Sequence, residues 1–211
     1  MSDKDLIPLA AAIAGDVPSA FSIPGGNTLG LAGVKWLDKR RHAAADILIE
    51  EVSKGHHGAI AFEEHDVEPL IEIVYRFTKA AADGAAMDNL RLLAQVIAGL
   101  KKNKARDPDK YRKWANVLKT LTRDEIIVIG MDYRARKAIQ EAGPKAADDF
   151  WQRLEKSLEA GRYSKTEVQA LCASLLRTGL LIAFGGLVSM DTPWLVELGE
   201  LANLEAAAAS K

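Results

Sequence analysis

Possible metal ligands are densest in one short segment between two predicted helices. They are His56, His57, Glu63, Glu64, His65 and Asp66. Common metal motifs pair cysteines, repeat His-Glu-x-x-His or follow the EF-hand spacing, and none of these spacings occurs in the sequence. Acidic side chains also favour the start of a helix, and Asp66 stands where the next helix is predicted to begin. The spacing therefore predicts a polar connecting segment without a bound metal.

A glycine-containing stretch, residues 24–30, precedes a predicted helix and is the sequence's best candidate for a phosphate-binding loop. A helix N-terminus can hold a phosphate. In a P-loop, however, the glycine-rich stretch follows a strand and its lysine lies at the start of the helix. No strand is predicted before residues 24–30, and Lys35 comes too late to contact the phosphate. The sequence also lacks a nucleophile elbow, a Walker loop and a dinucleotide fingerprint. We therefore expect a structural turn here, and a protein that is not an enzyme, has no catalytic residues and binds no cofactor.

Cations are concentrated between residues 101 and 113. The members of this basic stretch are Lys101, Lys102, Lys104, Arg106, Lys110, Arg112 and Lys113. Two acids, Asp107 and Asp109, leave a local net charge of +5. Together with Tyr111 and Trp114, such a stretch suits a nucleic-acid backbone. The preferred interpretation is a solvated connector whose aromatic side chains belong to the core, and nucleic-acid binding is the alternative.

Helix signals organise the last part of the chain. Ser164 and Glu167 form a capping box that begins a helix. Its apolar stripe follows a spacing of three and four residues: Val168, Leu171, Cys172, Leu175 and Leu176. Gly179 ends this helix, and Thr192-Pro193 begins the last one. Cys172 is the only cysteine, and its place on the stripe predicts a buried thiol.

Two short apolar runs, residues 180–184 and 187–190, flank Gly185-Gly186 and predict a tight β-hairpin. Helix, hairpin and helix follow in the order found at the end of a winged helix-turn-helix module. A DNA-reading wing usually carries cations for phosphate, whereas the predicted hairpin has none. The hairpin therefore predicts contact with a protein partner or self-association. The predicted interface residues are Leu181, Phe184, Leu187 and Val188.

The rival interpretation is a DNA-binding winged-helix regulator. It would use the predicted helix over residues 164–178, where Lys165 and Gln169 are able to touch DNA, together with the basic stretch. A metal- or phosphate-dependent enzyme is the third and least favoured possibility.

Three long helices are predicted in the first half of the chain. The first extends from Thr28 to a stop at Gly55, the second from Asp66 to Gly84, and the third over residues 87–100. The second helix is expected to bury one face, which comprises Val67, Leu70, Ile71, Val74, Phe77 and Ala81. Residues 1–106 are therefore predicted to form a helical bundle with a loosely ordered N-terminal arm.

Asp107-Pro108 interrupts the helical pattern and marks the predicted domain boundary. A second capping box, from Thr122 to Glu125, begins another helix, and further helices follow before the hairpin. The predicted fold class is mainly α. It consists of a helical bundle over residues 1–106 and a winged-helix-like module with one small β-hairpin over residues 107–211.

The composition argues against several classes of protein. Of the 211 residues, 48% are hydrophobic and 27% are charged. The formal net charge is −1, so the protein as a whole does not attract nucleic acid or anionic lipid. Arg177 is the only charge in residues 168–190, and prolines interrupt residues 6–34. No membrane span is therefore expected, while peripheral contact by the N-terminal segment is left open. With no secretory signal expected, a cytoplasmic location is predicted.

Four short segments carry a likeness to a known family. They are residues 89–100, the Asp107-Pro108-Asp109 break, residues 117–125 with Leu121-x-x-Asp124-Glu125, and Leu175-x-x-x-Gly179-Leu180. In this order the segments resemble bacterial proteins of the abortive-infection alpha type. Leu198-Gly199 likewise resembles the start of a last helix in winged-helix proteins. The family resemblance implies a helical protein with a role in limiting phage growth, and it transfers no catalytic residues.

Overall fold

The computed structural model describes residues 28–60, 67–103, 107–142, 156, 163–184 and 188–209. These residues are mainly α-helical, which confirms the predicted fold class. Within these ranges, no helix combines the length and the apolar composition that a membrane span requires. The chain divides into two compact units, Met1–Thr120 and Leu121–Lys211.

The first unit is a bundle of helices. Its described helices are α1 (Thr28–Lys54), α2 (Val67–Ala82), α3 (Met87–Lys102) and α4 (Pro108–Leu118). α1 packs on α2 and α3, and α4 packs on the same two helices. Each helix contributes a fully buried side chain: Leu48, Phe77, Leu93 and Trp114. The unit therefore has a hydrophobic core of its own.

Helix α4 follows directly on the predicted boundary at Asp107-Pro108. Asp107 caps this helix and Pro108 occupies its first position, where a proline costs no hydrogen bond. Tyr111 and Trp114 are both completely buried. Because α4 packs on α2 and α3, the first compact unit continues to Thr120, and the break in the sequence begins one more helix of that unit.

The second unit combines helices with one pair of strands. Its described elements are α5 (Arg123–Ala142), α6 (Lys165–Leu175), a 3-10 turn (Leu176–Thr178), β1 (Leu181–Phe184), β2 (Val188–Asp191), α7 (Pro193–Leu201) and α8 (Leu204–Ala209). α5 contacts α6, α7 and α8. Val128 of α5, Leu175 of α6 and Leu198 of α7 are fully buried, so α5 lies at the centre of this unit.

The two strands pair as the sequence predicted. β1 and β2 are antiparallel, with Leu181 opposite Asp191 at one end and Phe184 opposite Val188 at the other. The predicted Gly185-Gly186 turn lies outside the described residues. The helix–hairpin–helix order is therefore present, and the closer likeness to a winged helix remains a prediction.

Both predicted capping boxes are confirmed. The Ser164 side chain accepts from the backbone N–H of Glu167, and the Glu167 carboxylate accepts in return from the backbone N–H of Ser164. At the start of α5, the backbone N–H of Thr122 donates to Oε2 of Glu125 at 2.9 Å, and the N–H of Glu125 donates to Oγ1 of Thr122 at 3.2 Å. Such reciprocal bonds satisfy helix donors that would otherwise lack a partner. Cys172 is buried, as expected.

The prediction that Ile71 faces the core is wrong. Its side chain is 65% exposed, whereas Ile73 is 5% exposed. The buried face of α2 runs through Ile73, Val74 and Phe77. At about 100° per residue, Ile71 lies roughly 120° around the helix from Phe77, and it therefore falls outside the stripe that meets α1, α3 and α4.

Candidate functional site

An ion pair joins the beginning of α5 to the end of α6 in the second unit. Glu125 lies in the first turn of α5 with a side chain only 4% exposed, and Arg177 lies in the 3-10 turn after α6. Two guanidinium nitrogens of Arg177 donate to the two carboxylate oxygens of Glu125, the second at 2.9 Å. The Ser174 hydroxyl donates to the same carboxylate. We call Glu125, Ser174 and Arg177 the polar clamp.

The electrostatics of the polar clamp suit a structural role. The hydrogen bonds from Arg177, reinforced by those from Ser174 and the Thr122 backbone, outweigh burial and hold the pKa of Glu125 at about 2. A carboxylate with so low a pKa is a weak base near neutral pH. The Ser174 hydroxyl therefore gains no activation from it, and the three side chains fix the relative positions of α5 and α6.

A glycine and a threonine close the base of the hairpin. Gly179, with φ +71°, carries the chain from the 3-10 turn towards β1. The Trp194 ring lies against this glycine, so closely that a Cβ there would be 2.7 Å from Cζ3. The Thr192 hydroxyl donates to the Gly179 carbonyl at 2.7 Å and accepts from the N–H of Trp194 at 3.2 Å. The cap of α7 thereby fixes where the hairpin starts.

Three large apolar side chains around this base are partly exposed. Leu176 is 37% exposed, Ile182 is 50% exposed and Trp194 is 44% exposed. We call these three residues the apolar patch. Leu176 precedes Gly179 by one turn, Ile182 lies in the first strand after it, and Trp194 packs on it. The three side chains therefore belong to the elements that meet at the foot of the hairpin, which the sequence predicted as a contact surface.

The predicted interface residues have different outcomes. Leu181 is 2% exposed, so it cannot meet a partner, and its assignment to the interface is wrong. Side chains on a strand alternate between two faces, and the neighbouring Ile182 is the exposed one. Phe184 and Val188 lie opposite each other in register, and Leu187 lies outside the described residues.

A cleft of about 280 Å³ lies beside the polar clamp. It is lined by Asp124, Tyr163, Glu167, Ala170, Leu171 and Ser174. The Tyr163 hydroxyl donates to Oδ1 of Asp124 at 2.6 Å, and burial together with this bond raises the pKa of Tyr163 to about 12. The Glu167 carboxylate is occupied by capping α6, which lowers its pKa. Both acids of this cleft therefore already accept hydrogen bonds: Glu167 from the N-terminus of α6, and Asp124 from the Tyr163 hydroxyl.

The predicted nucleic-acid contacts are divided between the two units. Lys101, Lys102, Lys110, Arg112 and Lys113 belong to the first unit, Lys165 and Gln169 belong to the second, and Lys104 and Arg106 lie outside the described residues. Lys165 and Gln169 are exposed on α6, as direct contact with DNA would require.

Within the basic stretch, several side chains already have local contacts. Arg112 pairs with Asp109 at 2.7 Å, and Nζ of Lys113 lies 4.3 Å from the ring centroid of Trp114. The complete burial of Tyr111 and Trp114 confirms the interpretation that these aromatics belong to the core. They are therefore not available for stacking on bases.

The predicted metal-ligand segment is described only in part. Glu63, Glu64, His65 and Asp66 lie outside the described residues. The rings of His56 and His57 meet edge to face with centroids 4.8 Å apart, and burial and then His57 lower the pKa of His56. Among residues that the structure describes, no three His, Cys, Asp or Glu side chains converge on a possible metal position.

Among the described residues of the second unit, the burial of two acids, Glu125 and Asp132, was not anticipated from the sequence. Glu125 was predicted as a capping residue alone, and its pairing with Arg177 was missed. Arg177 is the only charge in residues 168–190, and an isolated charge in an apolar segment is a signal that it has a partner. Asp132 lies three residues after Ile129 on the buried face of α5 and is 2% exposed. Burial raises its pKa to about 7, against the opposing effect of Arg136.

Comparisons with known proteins return no match for this chain. No protein-family model matches the sequence. No similar curated protein and no similar solved structure was found.

Proposed function

We propose that this protein acts through protein–protein contacts, and that the contact is self-association of the second unit through its β-hairpin and apolar patch. The observation that supports this most directly is the partial exposure of Ile182, Trp194 and Leu176, three large apolar side chains on the elements that meet at Gly179. Large apolar side chains grouped at one place on a surface are typical of interaction sites.

The open edges of the hairpin favour a second copy of the same chain as the partner. The described sheet has only the strand order β1–β2, so each strand has an outer edge without a described partner strand. Natural edge strands are usually protected by charges or proline, but the two strands carry a single charge, Asp191 at the end of β2, and no proline. Two identical edges can pair around a two-fold axis, which also brings the two apolar patches together.

The polar clamp supports the proposal by holding the hairpin's point of attachment. Arg177 is fixed to Glu125, and Thr178 donates to the Leu175 carbonyl at 2.6 Å while accepting from the N–H of Leu180 at 3.1 Å. A surface that is ordered before binding loses less conformational entropy when it associates. The clamp would therefore increase affinity without touching the partner.

We also propose that this association serves to limit phage growth. This part rests on the resemblance to abortive-infection alpha-type proteins. Two of the segments that carry the resemblance supply Glu125 and Arg177, which pair in the structure. If the clamp supports the function, a bacterial strain that expresses the protein should lower the plaque count more than a strain that expresses an Arg177→Met variant at equal level.

The substitution Ile182→Lys tests self-association. It places a charge in the apolar patch, and the half-exposed position lets the chain fold normally. We expect the wild-type chain to be dimeric at about 100 µM in sedimentation equilibrium, and the variant to be monomeric. Ile71→Lys on α2 is the matched control, because Ile71 is 65% exposed in the other unit, and it should remain dimeric. A monomeric wild-type chain would refute the proposal.

DNA binding through α6 is the second candidate, because Lys165 and Gln169 are both exposed on one helix. A gel shift over a range of salt concentrations separates it from the first. Binding that weakens steeply with salt, and that is lost in Lys165→Ala, would favour the DNA-binding regulator. Under the proposal made here, neither the wild-type chain nor the variant shifts the probe.

A further inference from the structure

A tryptophan on α1, in the first unit, is held in a fixed position on the surface. Trp36 is 50% exposed, and the guanidinium of Arg40 lies 5.0 Å from the centroid of its ring. Arg40 itself donates to the carbonyl oxygens of Ala81, at 2.9 Å, and of Ala85. Arg40 is therefore hydrogen-bonded to the end of α2. Because the Trp36 ring stacks on this arginine, the position of the half-exposed ring is restrained.

Two exposed lysines flank this ring. Lys35 and Lys39 are both exposed on α1, four residues apart and therefore on one side of the helix. Asp38, the acid between them, pairs with Arg41 at 3.8 Å. Among the described residues, no carboxylate lies within ion-pair distance of either lysine. Four basic residues and one acid between residues 35 and 42 give this segment a local charge of +3.

The sequence leading into these residues is strongly apolar. From residue 6 to residue 34 the only charged side chain is Asp16. Helix α1 begins at Thr28, and its first turns carry Leu29, Leu31 and Val34 in sequence before Lys35. Apolar residues followed by a tryptophan that stands between two lysines are typical of a helix that lies in a membrane interface.

From this combination we infer that the N-terminal part of α1 binds the surface of an anionic lipid bilayer peripherally. Trp36 lies at the level of the headgroups, where its amphipathic ring is favoured. Lys35 and Lys39 contact lipid phosphates, and the cations complement the negative surface charge. A nucleic acid would use the lysines but offers no apolar medium for the preceding residues, so the bilayer is the better complement. This surface is independent of the hairpin.

Co-sedimentation of the full chain with vesicles tests the inference. Binding is expected to phosphatidylcholine vesicles that contain phosphatidylglycerol, to be much weaker with phosphatidylcholine alone, and to decrease with salt. Replacing both lysines, in Lys35→Ala with Lys39→Ala, should weaken binding about 30-fold, since each cation near such a surface contributes about a five-fold factor. Both side chains are exposed, so the variant should fold, which circular dichroism verifies.

The matched control is Lys110→Ala with Lys119→Ala, which removes the same charge from exposed positions elsewhere in the first unit. It should bind vesicles like the wild-type chain. In addition, Trp36→Ser should abolish the quenching of tryptophan fluorescence by brominated lipid. Equal loss in both lysine pairs, no vesicle binding, or binding to an oligonucleotide through Lys35 and Lys39 in place of vesicles would each overturn the inference.

Discussion

At the scale of single residues, the buried carboxyl group of Glu125 stays ionised because Arg177 pairs with it. The carboxylate is 4% exposed, while the arginine is 45% exposed. An ionised carboxylate is costly to bury without a partner. The bidentate bond from Arg177, with the Ser174 hydroxyl, supplies the compensation, and Thr122 adds a backbone donor.

Replacing Arg177 by methionine should therefore destabilise the second unit by about 2 kcal/mol at neutral pH. The pKa of Glu125 is about 2 in the folded chain against an ordinary value of 4.5. A depressed pKa stabilises the fold above pH 4.5, and this stabilisation is lost as the pH falls towards 2. Urea unfolding between pH 2 and pH 7 should show that slope in the wild-type chain and a weaker slope in Arg177→Met.

The control for this prediction is Glu125→Gln combined with Arg177→Met. Glutamine keeps an acceptor for the Thr122 N–H but carries no charge, so the double variant should recover part of the lost stability at neutral pH. If Arg177→Met alone were as stable as the wild-type chain, the polar clamp would not be a structural pair.

At the scale of elements, Gly179 determines how the 3-10 turn leads to β1. Its φ of +71° is a conformation that side chains other than glycine rarely adopt, and the Trp194 ring occupies the place of a Cβ. The position therefore carries both a conformational and a steric constraint.

Alanine at Gly179 should destabilise the protein by about 2–3 kcal/mol, because both constraints are violated. Gly84 provides the comparison, since its φ is +98° but nothing lies within 4 Å of a Cβ there. Gly84→Ala should lose only about 1 kcal/mol through backbone strain. Urea unfolding followed by circular dichroism measures both. Equal decreases in the free energy of unfolding would show that the contact with Trp194 contributes nothing to stability.

The elements also show which features a sequence reveals. The capping boxes at Thr122 and Ser164 and the stop at Gly179 depend on neighbouring residues, so local spacing predicted them correctly. The side-chain faces of Ile71 and Leu181 depend on which neighbours pack where, and those predictions were wrong. Glu125 and Arg177 are 52 residues apart, and no local pattern specifies that they meet.

At the scale of the whole molecule, the end of the first unit follows from which side chains are buried in its core rather than from where the helical pattern breaks in the sequence. Asp107-Pro108 breaks the helical pattern, but the helix after it buries Tyr111 and Trp114 in the first unit. The same burial weakens the case for nucleic-acid binding by the basic stretch, because its aromatic residues form part of the core. The cations chosen from the sequence consequently belong to two different units.

The two proposals assign different partners to the two units. The first unit presents Trp36 with exposed lysines, which suits an anionic bilayer, and the second presents the apolar patch around Gly179, which suits another copy of the chain. Self-association would place several copies of the lysine-flanked tryptophan in one assembly, and binding through several weak sites increases avidity. The proposals remain separable, because Ile182→Lys and the variants of Lys35 and Lys39 alter different units.

The most direct test of self-association is cross-linking through a single cysteine. Cys172 is the only cysteine and is buried, so Cys172→Ala provides a background without thiols. In that background, Ile182→Cys should form a disulfide-linked dimer under mild oxidation, because two-fold pairing brings the two hairpins together. Ile71→Cys, exposed on α2, should form no disulfide-linked dimer. Equal cross-linking of both variants, or none at Ile182→Cys, would contradict the account.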